Sequence, residues 1–130
     1  MRSRILFISG RHENAQHLSR MLGSLPLDMD HVEDLRHARA KLPNAEYDVI
    51  LTEANLSDGT WLDALHLARE CPNDIAVIVT DPQADAGFWA EALNMGAYDL
   101  LAQPFYEPEV RRILHNACSR PAYDERAAAV

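Results

Sequence analysis

The sequence predicts an α/β domain: a doubly wound, five-stranded parallel sheet of order 2-1-3-4-5 between two helical layers, a three-layer sandwich. Three observations predict it. Short apolar runs rich in branched residues alternate five times with segments of helical spacing, which implies parallel strands with crossover helices. The first, third and fourth runs are strongly apolar and suit the middle of a sheet, whereas the second is half polar and suits an edge. The third run ends on a lone acid, Glu53, and a turn-rich loop follows at once. In open sheets of this kind, ligands gather at the carboxyl ends of the strands, where the strand order reverses.

Each element has its own local reason. Residues 5–8 form a short apolar strand that stops at Ser9-Gly10. His12–Leu22 carries Ala15, Leu18 and Leu22 at helical spacing, with the breakers Gly23 and Pro26 behind it. Leu27–Val32 alternates Leu27, Met29 and His31 against Asp28 and Asp30, as an edge strand does. Leu35, Ala38 and Leu42 mark a second helix closed by Pro43, and 48–52 is the third strand. Beyond Gly59, Leu62, Leu65 and Ala68 line a third helix that ends by Pro72. Residues 75–80 are almost wholly apolar and central. Phe88, Trp89, Ala92 and Leu93 are expected on the inner face of a fourth helix, stopped by Gly96. Residues 98–101 make the fifth strand, and Val110, Ile113, Leu114 and Ala117 an amphipathic last helix. The domain is expected over 1–120, with 121–130 a tail or the start of a linker to an output domain.

At 130 residues and 48% apolar, the chain is long enough for one core without staples. Twelve basic against twenty acidic residues leave a net charge of −8, which argues against nucleic acid as a direct ligand. Cys71 and Cys118 lack metal-ligand spacing and read as reduced structural thiols. The first apolar run is too short for a signal peptide or a membrane span, so a soluble cytoplasmic protein is expected. The six histidines (His12, His17, His31, His37, His66, His115) are unpaired in sequence and read as solvated or half-buried. Trp61 and Trp89 read as core.

Three motifs carry a resemblance to the receiver domain of bacterial response regulators over about residues 4–118. Glu53-Ala54-Asn55-Leu56-Ser57-Asp58-Gly59 is similar to that family's Asp-x-x-Leu-Pro-Asp-Gly. Val77-Ile78-Val79-Thr80 ends on the hydroxyl residue the family places after its fourth strand. Asn94 to Phe105 is similar to the family's Gly-Ala-x-Asp-Tyr-Leu-x-Lys-Pro-Phe, which implies a cis Pro104. The resemblance implies a flavodoxin-like topology of the receiver type and a signalling rather than an enzymatic role.

It also implies a chemistry whose parts this chain replaces. Glu53 stands at the phosphoacceptor position, Ser9 and Gly10 at the acidic pair, Gln103 at the lysine and Leu100 at the aromatic switch; only Thr80 matches. Mg²⁺ wants near-octahedral oxygen ligation anchored by carboxylates, so Mg²⁺ binding is expected to be lost or weak, and no other cofactor is expected. Phosphoryl transfer rests on positioning and charge neutralisation. Two unit charges about 4 Å apart in an intermediate dielectric repel by roughly 4 kcal/mol, about a thousandfold in rate. The expectation is a pseudo-receiver: fold kept, phosphorylation lost. Glu53 then either imitates the phosphorylated state in part or is a relic.

Further residues have open alternatives. Arg11 either pairs with Glu53, Asp58 or Asp81, or is a solvated loop arginine. Gln103 either donates a neutral hydrogen bond towards Glu53 or packs at a strand end. Asp58 is a weak substitute phosphoacceptor, and Asp81 is expected to be a turn residue before Pro82. The leading function is phosphorylation-independent signalling by contact with protein partners or an output domain. The resemblance places that contact, or a homodimer, on the face of the fourth helix, fifth strand and fifth helix, with no membrane or nucleic-acid partner. The alternatives are a still-phosphorylatable relay member controlling transcription and a small-ligand-binding flavodoxin-like domain.

Overall fold

Strand pairing in the computed structural model, which describes residues 2–120, builds one parallel sheet from five strands. They are β1 (Ser3–Ile8), β2 (Leu27–Val32), β3 (Val49–Glu53), β4 (Ala76–Asp81) and β5 (Asp99–Ala102), in the order β2-β1-β3-β4-β5. The predicted order is observed. The tail predicted at 121–130 lies outside the described residues. Crossover helices are α1 (His12–Leu22), α2 (Leu35–Lys41), α3 (Trp61–Glu70), α4 (Ala86–Met95) and α5 (Glu107–Ser119).

Period-two alternation divides the core. Leu6, Ile8, Ile50, Val77, Val79 and Leu100 face α2, α3 and α4. Ile5, Phe7, Val49, Leu51, Ile78 and Leu101 face α1 and α5. Both faces are covered, so β1, β3 and β4 can be apolar throughout.

Caps explain the helix boundaries. Asp34 opens α2 by accepting from His37 N–H at 2.9 Å. Thr60 and Asp63 close a reciprocal capping box on α3. Gly96 ends α4 at φ 109°, a left-handed position where its N–H returns to the last turn. Leu42, predicted to be helical, lies instead in a 3₁₀ turn, Leu42–Asn44, that Pro43 tightens; it stays buried.

One predicted core residue is wrong. Ala92 is buried and Phe88 and Leu93 are half-buried, but Trp89 is 49% exposed. α4 packs on the edge strand β5, so its buried stripe is narrow. Trp89, about 100° further round the helix than Phe88, turns to solvent, and its indole N–H donates to Asp99 at 3.2 Å. Trp61 is buried, with its ring centroid 6.0 Å from that of Phe88.

At the β2 edge, the buried Tyr47 donates its hydroxyl to Asp30 at 2.6 Å, and Arg4 reaches the same oxygen at 3.1 Å. The Tyr47 hydrogen bond, opposed by burial and helped by Arg4 and Lys41, holds the Asp30 carboxyl below its usual range. Burial first, then Asp30, pushes the Tyr47 phenol well up. Because the folded pKa of Asp30 is depressed, this stabilisation is fully present above the ordinary carboxylate range and is lost as pH falls from there through the lower folded value. Tyr47→Phe is expected to cost about 1–2 kcal/mol near pH 7 and less near pH 3, read from urea melts at the two pH values. An equal cost at both would show that the carboxylate is not involved.

Candidate functional site

The sheet register assembles the site. Thr52 pairs with Ile8 and Glu53 with Thr80, while Asp81 pairs with Ala102. Ser9, Glu53, Thr80 and Gln103 therefore meet at the C-terminal edge, beside the β1–β3 reversal of strand order. Ser9 and Thr80 are fully buried and Glu53 is 8% exposed.

Three neutral donors hold the carboxylate. The Ser9 hydroxyl donates to Glu53 Oε2. The side-chain amides of Asn14 and Gln103 donate to Oε1 at 3.2 and 3.1 Å. Gln103 Nε2 also donates to Thr80 Oγ1 at 3.1 Å, so one amide joins Glu53 to the threonine. Among the described residues, no cationic side chain lies within ion-pair distance of Glu53. Ser9 in turn accepts from Arg11 N–H at 3.0 Å, and its carbonyl accepts from His31 Nε2 at 2.7 Å. That bond puts the His31 proton on Nε2. Above the carboxylate is an opening of about 450 Å³ lined by Gly10, Arg11, Asn55, Ser57, Asp81 and Gln83 among others.

Several predicted residues sit elsewhere. Arg11 is exposed and pairs with none of Glu53, Asp58 or Asp81, so the solvated alternative holds. Its backbone, not its guanidinium, serves the site. Asp58 leaves the pocket altogether. Its two oxygens accept from Leu35 and Arg36 N–H, each at 3.0 Å, and so close the first turn of α2. Asp81 accepts from Gln83 N–H at 2.9 Å, the predicted turn before Pro82. Leu100 is buried among the residues under α4. The Gln103–Pro104 bond is cis.

Asn14 was missed. Its only signal in the sequence is an amide in the first turn of the helix that follows Ser9-Gly10-Arg11. Among the described residues, no three His, Cys, Asp or Glu side chains are grouped to hold a metal ion. His31 is half-buried and the other histidines are exposed. The half-buried Cys71 and Cys118 thiols are free, and burial pushes both up. No described helix is long and apolar enough to cross a membrane.

The chain is similar to the response regulator protein PilR of Pseudomonas aeruginosa, at 26% identity over 118 residues, 89% of this chain and 26% of PilR. It is similar to the regulatory protein LuxO of Vibrio cholerae, at 28% over 96 residues, 74% of this chain and 21% of LuxO. It thus spans about a quarter or less of the length of these curated relatives. Among solved structures, it resembles the receiver domain of a sensor histidine kinase of Pseudomonas aeruginosa, which holds a magnesium ion in its active-site cleft. That likeness has 26% identity and a TM-score of 0.79, over 92% of this chain and all of that one. Residues 5–115 match the family model of the response regulator receiver domain, and the chain belongs to that family.

Proposed function

We propose that this chain is an atypical receiver that signals by protein–protein contact without accepting a phosphoryl group. One observation carries this reading: the carboxylate at the acceptor position is already held by three neutral donors, Ser9, Asn14 and Gln103. The donor set does not fit Mg²⁺. It offers one carboxylate, and Ser9 and Gly10 add no charge where the family's acidic pair would stand. Nor does position 103 supply an ammonium group to offset an incoming phosphate, because Gln103 is neutral. The bridge through Gln103 to Thr80 supports Glu53 as a partial stand-in for the phosphorylated state rather than a relic.

Contact with a partner or an output domain fits the α4–β5–α5 face. Every large apolar residue that is exposed among the described residues (Trp89, Met95, Tyr98 and Tyr106) lies in this stretch. Glu91 is the only charged residue on α4. Such a concentration marks a protein contact.

Acetyl phosphate or beryllofluoride with Mg²⁺ tests the reading by mass and by melting temperature. Neither is expected to change the wild-type chain, and a phosphoryl adduct on Glu53 or Asp58 would overturn the proposal. In the same series, Glu53→Gln keeps the shape and removes the charge. It is expected to shift the Thr80 and β5 amide resonances; an unmoved spectrum would make Glu53 a relic.

A further inference from the structure

Helices α2, α3 and α4 form one layer, with α2 over β2 and β1, α3 over β3 and β4, and α4 over β5. The two flanks of that layer carry opposite charge. α2, at seven residues, holds Arg36, Arg39 and Lys41 and no acid, a charge of +3 in a chain of net −8. All three are exposed, and among the described residues none pairs with a carboxylate. On the other flank, a groove of about 540 Å³ lies between the N-terminal ends of α3 and α4, beside Asn55, Asp81 and Gln83. Its floor includes Trp61 and Phe88, its charged lining is Asp81, Asp85 and Glu91, and no basic side chain lines it.

The layer order makes these flanks self-complementary. A twofold axis parallel to the strands and lying in the surface of the layer sets two copies face to face with left and right exchanged. Each α2 then meets the partner's α3–α4 groove, and the same contact forms twice, which closes the assembly as a dimer. Both helices follow the C-terminal ends of their strands and run the same way, so this axis lays α2 of one copy parallel to α4 of the other. An axis perpendicular to the strands would instead set α2 on α2, basic against basic.

We propose that a second copy of this chain docks on the α2–α3–α4 layer, with the basic α2 of each copy in the acidic α3–α4 groove of the other. This surface shares α4 with the α4–β5–α5 face but uses the Glu91 side of that helix rather than the Trp89 side, and it does not depend on the role of Glu53.

Sedimentation over a concentration series, at about 0.1 M salt where the screening length is about 10 Å, tests it. The wild-type chain is expected to dimerise. Arg39→Glu and Glu91→Arg, both at exposed positions, are each expected to weaken the dimer about tenfold or more, since each sets like charges opposite one another twice. Mixing the two variants restores both attractive contacts and is expected to recover the wild-type affinity to within about threefold. A wild-type chain that stays monomeric overturns the proposal, as does a dimer indifferent to both reversals. A dimer split by Trp89→Asp but not by the reversals puts the contact on the other face and overturns it too.

Discussion

Ser9→Asp, Gly10→Asp, Glu53→Asp and Gln103→Lys, combined, are expected to make the chain a Mg²⁺-dependent acceptor of a phosphoryl group from acetyl phosphate, where the wild-type chain is expected to form no adduct. The substitutions act on separate defects. Two new carboxylates and a retracted third give a hard cation the anionic oxygen ligands it needs. Position 10 has room for a side chain to start: a Cβ at Gly10 meets nothing nearer than the Glu33 carbonyl at 3.9 Å. Shortening Glu53 draws its carboxylate back by about one C–C bond, roughly 1.5 Å, and frees it from Asn14 and Gln103. A lysine in place of Gln103 stands beside both Glu53 and Thr80 and brings a charge that the amide lacks. Relieving about 4 kcal/mol of repulsion is worth about a thousandfold in rate. Glu53→Asp alone is expected to stay inert, because it restores the nucleophile without its cation. Mass spectrometry after acetyl phosphate, with and without Mg²⁺, reads the outcome. A folded combined variant that binds Mg²⁺ yet gains no adduct would show that the defect lies outside these four positions.

The scaffold of that site was legible because buried parallel strands leave a strong trace. Ile50 and Val77 sit in short, branched apolar runs of the kind a sheet covered on both faces uses, and Gly96 marks a helix end at a conformation other residues avoid. The family resemblance likewise placed Glu53, Thr80 and Gln103 in one pocket. Side-chain partnerships across the chain left no such trace. Asn14 is 39 residues from Glu53, and whether its amide reaches the carboxylate depends on where α1 starts relative to β3. Trp89 misled because an apolar helix residue next to Phe88 looks internal until the helix is known to lie on an edge strand. Arg11 was left open by its sequence: charge allowed an ion pair, but the side chain is exposed and the loop's backbone N–H goes to Ser9.

Asp58 is the residue whose role changes most between sequence and structure, and Asp58→Ala is expected to cost about 2–3 kcal/mol of stability while leaving the Glu53 site intact. Its carboxylate spans 23 residues of chain to accept from the first N–H of α2 and takes the second as well. Asp34 supplies a cap for His37 N–H only, so without Asp58 two donors at the positive end of that helix go unmatched. Charge-assisted bonds to a helix terminus are worth more than neutral ones, and a cap alone is worth about 1 kcal/mol. The same carboxylate also ties the β3–α3 loop to α2. At roughly 3–5 °C per kcal/mol for a chain of this size, a fall of about 6–15 °C in Tm is expected. Asp58→Asn keeps one acceptor and should recover about half of the loss. The amide resonances of Leu35 and Arg36 are expected to move in both variants, and those of Thr80 and Gln103 to stay put. A stability loss below about 0.5 kcal/mol would mean that water replaces the carboxylate at no cost, and the loop would then owe its position to the Thr60–Asp63 capping box and the Asn55–Thr60 pairing alone.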